Sequence, residues 1–182
     1  ANRTDVEAAE AMMVGSLFAG IAFSFARLGN VHAMSHPVSA FFDVPHGVAN
    51  AVLLPVVAEY NALADHGRYY KIYNYISEIP AYEDEFEPMM LVDAIRSLCK
   101  AIGIPANLTE AINRAGKTGS ISRETIEEKI EAMAADAMKS GNIAVNPRSS
   151  RQCDIEMFWI DLNSLRAVSP ACCISCLSFS AL

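Results

Sequence analysis

The most distinctive feature of the hydrophobic pattern is the stretch from Ala11 to Ala26, which carries no charge and places apolar side chains on every face of a helix. Thr4-Asp5-Val6-Glu7, just before it, matches a capping box, in which the Thr4 hydroxyl accepts from a free backbone N–H and Glu7 reaches back. A long helix is therefore expected from about Thr4. An all-apolar helix with Gly15, Ala19, Gly20 and Ala22 for close approach predicts neighbours on all sides, so this one is placed at the centre of a bundle.

Arg27-Leu28-Gly29-Asn30 interrupts the run, and Val31 to Ala40 follows with small residues, two histidines and Pro37. After a loop at Phe41 to Pro45, helical periodicity returns over Gly47 to Ala64, with Pro55 removing one N–H and kinking it. A Tyr-rich amphipathic segment (66–77) leads into an acidic, proline-broken connector (79–88). Pro88 suits the first turn of a helix over 88–102, closed by Gly103. Leu108 to Arg114 gives one or two helical turns, and Ala115 to Ser120 a loop. Ser122 N-caps a helix predicted to run unbroken from Arg123 to Ser140, before Gly141. No stretch alternates strictly with β-branched residues, so the fold class is all-α, a helical bundle without repeats or sustained heptads.

At 182 residues and 52% hydrophobic, the chain can bury a sizeable core. A net charge of -7 and a pI near 5.0 exclude a basic footprint for nucleic acid. The partners expected from this balance are a small neutral or anionic metabolite or another protein, and apolar surface in need of cover adds the expectation of a homo-oligomer. The sixteen uncharged residues of the apolar run span about 24 Å as a helix, short of the ~30 Å hydrocarbon core. No membrane partner is expected. Asp5, Glu7 and Glu10 precede the run where a signal peptide needs a basic region, so the reading is cytoplasmic. Five cysteines, at 99, 153, 172, 173 and 176, have no framework spacing and are read as reduced thiols. Cys173-x-x-Cys176 lacks the second pair that a zinc site needs.

Candidate chemistry concentrates in His32-Ala-Met-Ser-His36-Pro and Pro45-His46-Gly47, which hold three of the four histidines within 15 positions. Imidazole is the commonest ligand for zinc, iron and nickel, and histidines four apart on a helix face one way. Spacing alone selects His32 and His36. A single histidine is more often satisfied by a backbone carbonyl, whereas three flanked by small residues read as a site. Asp43 is a hard-ligand candidate that reads equally as a turn residue, and His66, beside Gly67, carries no such weight.

At these residues the chain resembles the iron-containing alcohol dehydrogenases. The resemblance rests on Gly29-Asn-Val-His32-Ala-Met-Ser-His36-Pro and Pro45-His46-Gly47-Val-Ala-Asn50-Ala-Val-Leu-Leu-Pro55. Tyr60-Asn61, Gly103-Ile104-Pro105 and Asn146-Pro147-Arg148 extend it over about residues 4–155. It implies a C-terminal helical domain that packs against a dinucleotide-binding domain. His32 and His46 are then two of four ligands of a divalent ion, Fe(II) or sometimes Zn(II). His36 becomes a site residue near the nicotinamide, able to carry a proton, and Phe23 an aromatic near the substrate pocket. For Phe23 the plain reading is core packing. Residue 36 precedes proline, which disfavours helix there and weakens the i,i+4 argument for His36 as a ligand. The implied activity is alcohol oxidation or aldehyde reduction with NAD or NADP.

Two features depart from this pattern. The family's remaining ligands, an Asp and a His four apart, and any phosphate-binding loop are absent, so the chain alone is expected to bind metal weakly and to be inactive. Residues 156–182, ending in a Cys-rich segment, form an atypical tail after a metal-bearing domain over 1–155. Two other readings remain open: a helical binding or structural module that has lost the chemistry and oligomerises, and a small metal protein using His32, His36 and His46.

Overall fold

The structure, a computed structural model, describes residues 4–116 and 120–163. The described residues are helical, without strands, in the order α1 (Val6–Ala26), α2 (Gly29–Phe42), α3 (His46–Ala62), α4 (Arg68–Ile76), α5 (Pro88–Ala101), α6 (Leu108–Ala115), α7 (Arg123–Glu127), α8 (Ile130–Met138) and α9 (Gln152–Asn163). A 3-10 turn (Ile143–Val145) precedes α9. The predicted all-α class is the observed one.

The core sits around α2 and α3. Helix α3 packs between α2 and α5, α2 also lies on α8, and α6 and α9 close the remaining side of α3. Trp159, Met34, Leu53, Ile112 and Met133 are fully buried there. Fully burying one such aliphatic side chain is worth roughly 1.5–3 kcal/mol, so this cluster sets the stability of the body. Local signals place the outer helices. The Asn107 side chain accepts from Glu110 N at 2.8 Å and caps α6. Asp65 accepts from Arg68 N and Tyr69 N, and so starts α4 after Gly67.

Four expectations are corrected. Helix α1 is not the centre of the bundle: no residue of it is buried, and Met12, Met13, Leu17 and Phe18 are each more than 60% exposed. An apolar pattern records a need for cover, and no other described helix supplies it. Its N-cap is Asp5, which accepts from Ala8 N at 3.0 Å, rather than Thr4. Helix α2 continues through His36 and Pro37, because the proline removes one N–H while packing on both flanks holds the turn. The helix predicted over Arg123–Ser140 is two, broken where Lys129 N turns to Ile126 O at 2.9 Å. Ile126, Ile130, Met133, Ala134 and Ala137 still line one buried face across the break.

With 21 residues, α1 is long and apolar enough to cross a membrane by length and composition, so the argument from a sixteen-residue span does not hold for the whole helix. Helix α9 runs through residue 155 to Asn163, because Ile155, Phe158, Trp159 and Leu162 form a buried i, i+3, i+4, i+7 stripe. Cys99 and Cys153 are free thiols. Cys172, Cys173 and Cys176, with most of the tail, lie outside the described residues.

Candidate metal centre

Helices α2 and α3 form a hairpin whose turn determines where His46 goes. Asp43 adopts a left-handed conformation (φ 55) as the C-cap of α2, donating its N–H to Ser39 O at 3.0 Å, and Val44 is buried behind it. Asp43 is therefore a turn residue. Pro45 then opens α3, and its carbonyl accepts from Val48 N and Ala49 N. His46, the first residue of α3, is thereby returned to the face of α2 that carries His32 in its first turn and His36 one turn later.

The three rings come together. Centroids are 5.2 Å apart for His32 and His46 with planes tilted by 63°, 5.2 Å for His36 and His46 with planes at 22°, and 6.3 Å for His32 and His36 at 80°. A metal about 2.0–2.1 Å from an imidazole nitrogen lies in the plane of that ring. Two such rings at a tetrahedral angle have centroids roughly 5 Å apart. Stacked, nearly parallel planes share no nearby line on which an ion can sit, whereas tilted planes do. His32 and His46 are thus the pair whose geometry suits a common ion, and stacked His36 is poorly placed to join His46 on it.

Hydrogen bonds orient both rings. Ser35 Oγ donates to His32 O at 3.2 Å, so toward His46 Nδ1, 3.4 Å away, it can only accept. With that donation kept, the contact assigns the His46 proton to Nδ1 and leaves the Nε2 lone pair free, as when a hydrogen bond at the other nitrogen orients a metal-binding histidine. Asn50 Nδ2 stands 3.2 Å from His32 Nε2 and, in this orientation of the amide, takes up that nitrogen's lone pair; with the amide turned over, its oxygen would accept from an Nε2–H and leave the Nδ1 lone pair for an ion. Asn50 Oδ1 is buried without a protein partner, an open acceptor beside the ring. Burial first, and then the neighbouring imidazoles of His46 and His36, hold His32 below the usual histidine pKa. The neutral ring, the form that ligates, is favoured.

Among the described residues no group of three or more His, Cys, Asp or Glu side chains is arranged to hold a metal ion. The three-histidine site thus finds no support among the described residues, and what they offer a divalent ion is the donor chemistry of the tilted His32–His46 pair. Of the other candidates, His66 is exposed in the loop before α4, and Phe23, on α1, is 47% exposed. An open apolar depression lined by Met13, Leu17, Gly20 and Ile21 runs along α1, and no histidine lines it. Sequence reasoning missed the parts played by Ser35 and Asn50. Asn50 was within reach of it, since it follows His46 by four and so shares its helix face.

The model for the C-terminal part of the iron-containing alcohol dehydrogenases matches residues 1–160. The chain belongs to the iron-containing alcohol dehydrogenase family. It is 37% identical over 153 residues to 1,3-propanediol dehydrogenase of Citrobacter freundii, which covers 84% of this chain and 36% of that protein. Lactaldehyde reductase of Escherichia coli K12 is 34% identical over 139 residues, 76% of this chain and 34% of its own length. A crystal structure of 1,3-propanediol oxidoreductase superposes with a TM-score of 0.74 at 35% identity, covering 87% of this chain and 39% of that one. This member of the family thus spans little more than a third of the length of these relatives. The match includes α1 as well as both histidine helices.

Proposed function

We propose that this chain is the metal-bearing part of an iron-dependent alcohol dehydrogenase, in which His32 and His46 supply two ligands to a divalent ion. The tilted pair of imidazoles 5.2 Å apart carries the reading. An ion held there, Fe(II) or Zn(II), supplies Lewis-acid polarisation of an alcohol oxygen, and NAD or NADP supplies the hydride acceptor. The chain's own groups do the rest. Ser35 holds the His46 ring through Nδ1, Asn50 orients His32, and exposed His36 carries a proton between the site and water. Phe23 is assigned to the substrate side through the family resemblance alone. The setting proposed is cytoplasmic, which the free thiols of Cys99 and Cys153 suit.

A pair of histidines leaves an ion half-coordinated, so the chain alone is expected to hold metal weakly and to oxidise no alcohol. The alternative, a helical module that keeps the fold without the chemistry, is favoured by the lack of a third ligand among the described residues. Metal analysis of the purified chain, with an assay of alcohol-dependent NAD(P) reduction, separates the two. Weak metal uptake that disappears in His46→Ala supports the enzyme part, and no uptake supports the module. Tight stoichiometric metal together with turnover would contradict the incompleteness proposed here.

Helix α1 lies inside the region matched to the family, so its apolar surface is assigned to contact with protein rather than lipid. An exposed apolar surface of this extent favours association, and the proposal includes a dimer or higher oligomer formed through α1. Light scattering at micromolar concentration should show a mass above one chain, and Leu17→Glu should lower it. A monomer before the substitution would remove this part of the account.

A further inference from the structure

Helix α2 lacks an N-cap of its own. Leu28 stands at the cap position and has no side chain able to accept from the first free N–H groups. The missing acceptor comes from 116 residues away: Asn146 Oδ1 takes the Asn30 N–H at 3.1 Å. The same amide is held in both directions by Asn61, in the last turn of α3. Asn146 Nδ2 donates to Asn61 Oδ1 at 2.7 Å, and Asn61 Nδ2 donates to Asn146 Oδ1 at 3.3 Å. A further bond from Asn146 Nδ2 to Arg148 O, at 2.7 Å, folds the turn after it.

The following residues repeat the attachment. Asn30 Nδ2 donates to Ser150 Oγ at 2.7 Å and Tyr60 OH to Ser149 O at 2.6 Å, while the Arg148 guanidinium lies 4.0 Å over the Tyr60 ring. Approach this close requires glycine at position 29: its φ is +65, and a Cβ there would lie 2.9 Å from Asn146 Oδ1. The segment 146–150 thus ties the beginning of α2 to the end of α3. His32 follows Asn30 by two residues, and His46 stands at the far end of α3, on the other side of the tie.

We propose that Asn146 is a positioning residue for the histidine pair, setting the axial register of α2 on α3 and hence the separation of His32 from His46. The magnitudes support this. Sliding one helix by a single residue moves its side chains by about 1.5 Å. Metal–ligand distances tolerate about 0.2 Å. A hairpin held by apolar side chains alone can shift by part of that step at small cost, whereas a buried amide with four directional bonds cannot. The consequence for metal binding rests on His32 and His46 being ligands. The consequence for their distance does not.

The test therefore reads the distance first. In the metal-free chain with labelled histidines, nuclear Overhauser contacts between the His32 and His46 rings are measured in the native chain, in Asn146→Ala and in the isosteric Asn146→Asp. Asn146→Asp keeps the acceptor and loses both donated bonds. A control, Ile112→Val, removes one methylene from the core away from the tie, and Co(II) affinity is measured on all four proteins. The expected result is loss of the inter-ring contact in Asn146→Ala and its weakening in Asn146→Asp. Co(II) dissociation constants should rise at least tenfold in the first variant, with contact and affinity unchanged in the control. Should Asn146→Ala fail to fold, Asn146→Asp against the control decides. Full-strength contact in the Asn146 variants, or equal loss in the control, would overturn the proposal. A native chain that ignores Co(II) while its ring contact responds to Asn146 would refute the metal reading and leave the positioning role standing.

Discussion

Helix α1 and the α2–α3 hairpin invert the usual relation between hydrophobicity and burial. The first is apolar on every face and has no buried residue, whereas the second is interrupted by histidines, asparagines and two prolines and forms the centre of the core. A run of apolar residues states how much cover a segment needs and is silent on where that cover comes from. A mixed run places its few apolar positions, Met34, Val38, Leu53 and Val57, on one face, and that face finds its partner within the same chain.

The two regions should therefore answer the same substitution differently. Leu53→Ala in α3 should cost about 2–5 kcal/mol, since Leu53 is fully buried and its loss leaves a cavity. Leu17→Ala in α1 should stay within about 0.5 kcal/mol in dilute, monomeric samples. Urea unfolding measures both, and equal losses would show that α1 is covered in solution.

Glycines sharpen the same comparison with smaller effects. Gly29→Ala should destabilise by roughly 1–2 kcal/mol, because it forces a left-handed L-residue against Asn146. Gly20→Ala should stabilise by about 0.5–1 kcal/mol, because a Cβ there meets nothing and alanine is the better helix former. A stabilising Gly29→Ala, read from thermal unfolding, would contradict the close approach at the start of α2.

An effect confined to alkaline pH lies at the edge of the hairpin. Tyr69 OH donates to Ala58 O at 2.8 Å, and burial, then the Asp65 carboxylate, push its pKa up to about 12. Unfolded, the phenol ionises near 10, so between about pH 10 and 12 the unfolded state binds fewer protons than the folded one. This contribution to stability is complete below pH 10 and is lost as pH rises through that window. Tyr69→Phe should flatten the alkaline slope of the urea midpoint, and an unchanged slope would remove Tyr69 as its cause.

Much of the fold was legible in the sequence. Pro88, Ser122 and Gly103 mark helix ends through local chemistry, and those ends lie close to where the sequence puts them. The misplaced α1 and the break at Lys129 both depend on packing, which no local pattern carries. The site divides in the same way. Density along the chain pointed to His32, His36 and His46, while helical spacing alone pairs His32 with His36. The left-handed turn at Asp43 brings His46 back at a tilt that His36, stacked on it, does not offer. Asn146 was beyond reach as a structural partner, because nothing near it in sequence indicates that the start of α2 needs an acceptor.

The central claim is that His32 and His46, and not His36, present their lone pairs to one ion. Titration of the chain with Co(II), followed by visible absorption in the native protein and in His32→Ala, His36→Ala and His46→Ala, tests it most directly. The account predicts that His32→Ala and His46→Ala each weaken binding at least tenfold and change the band shape, while His36→Ala leaves both close to native. Equal losses in all three variants, or a native chain that takes up no cobalt, would contradict it.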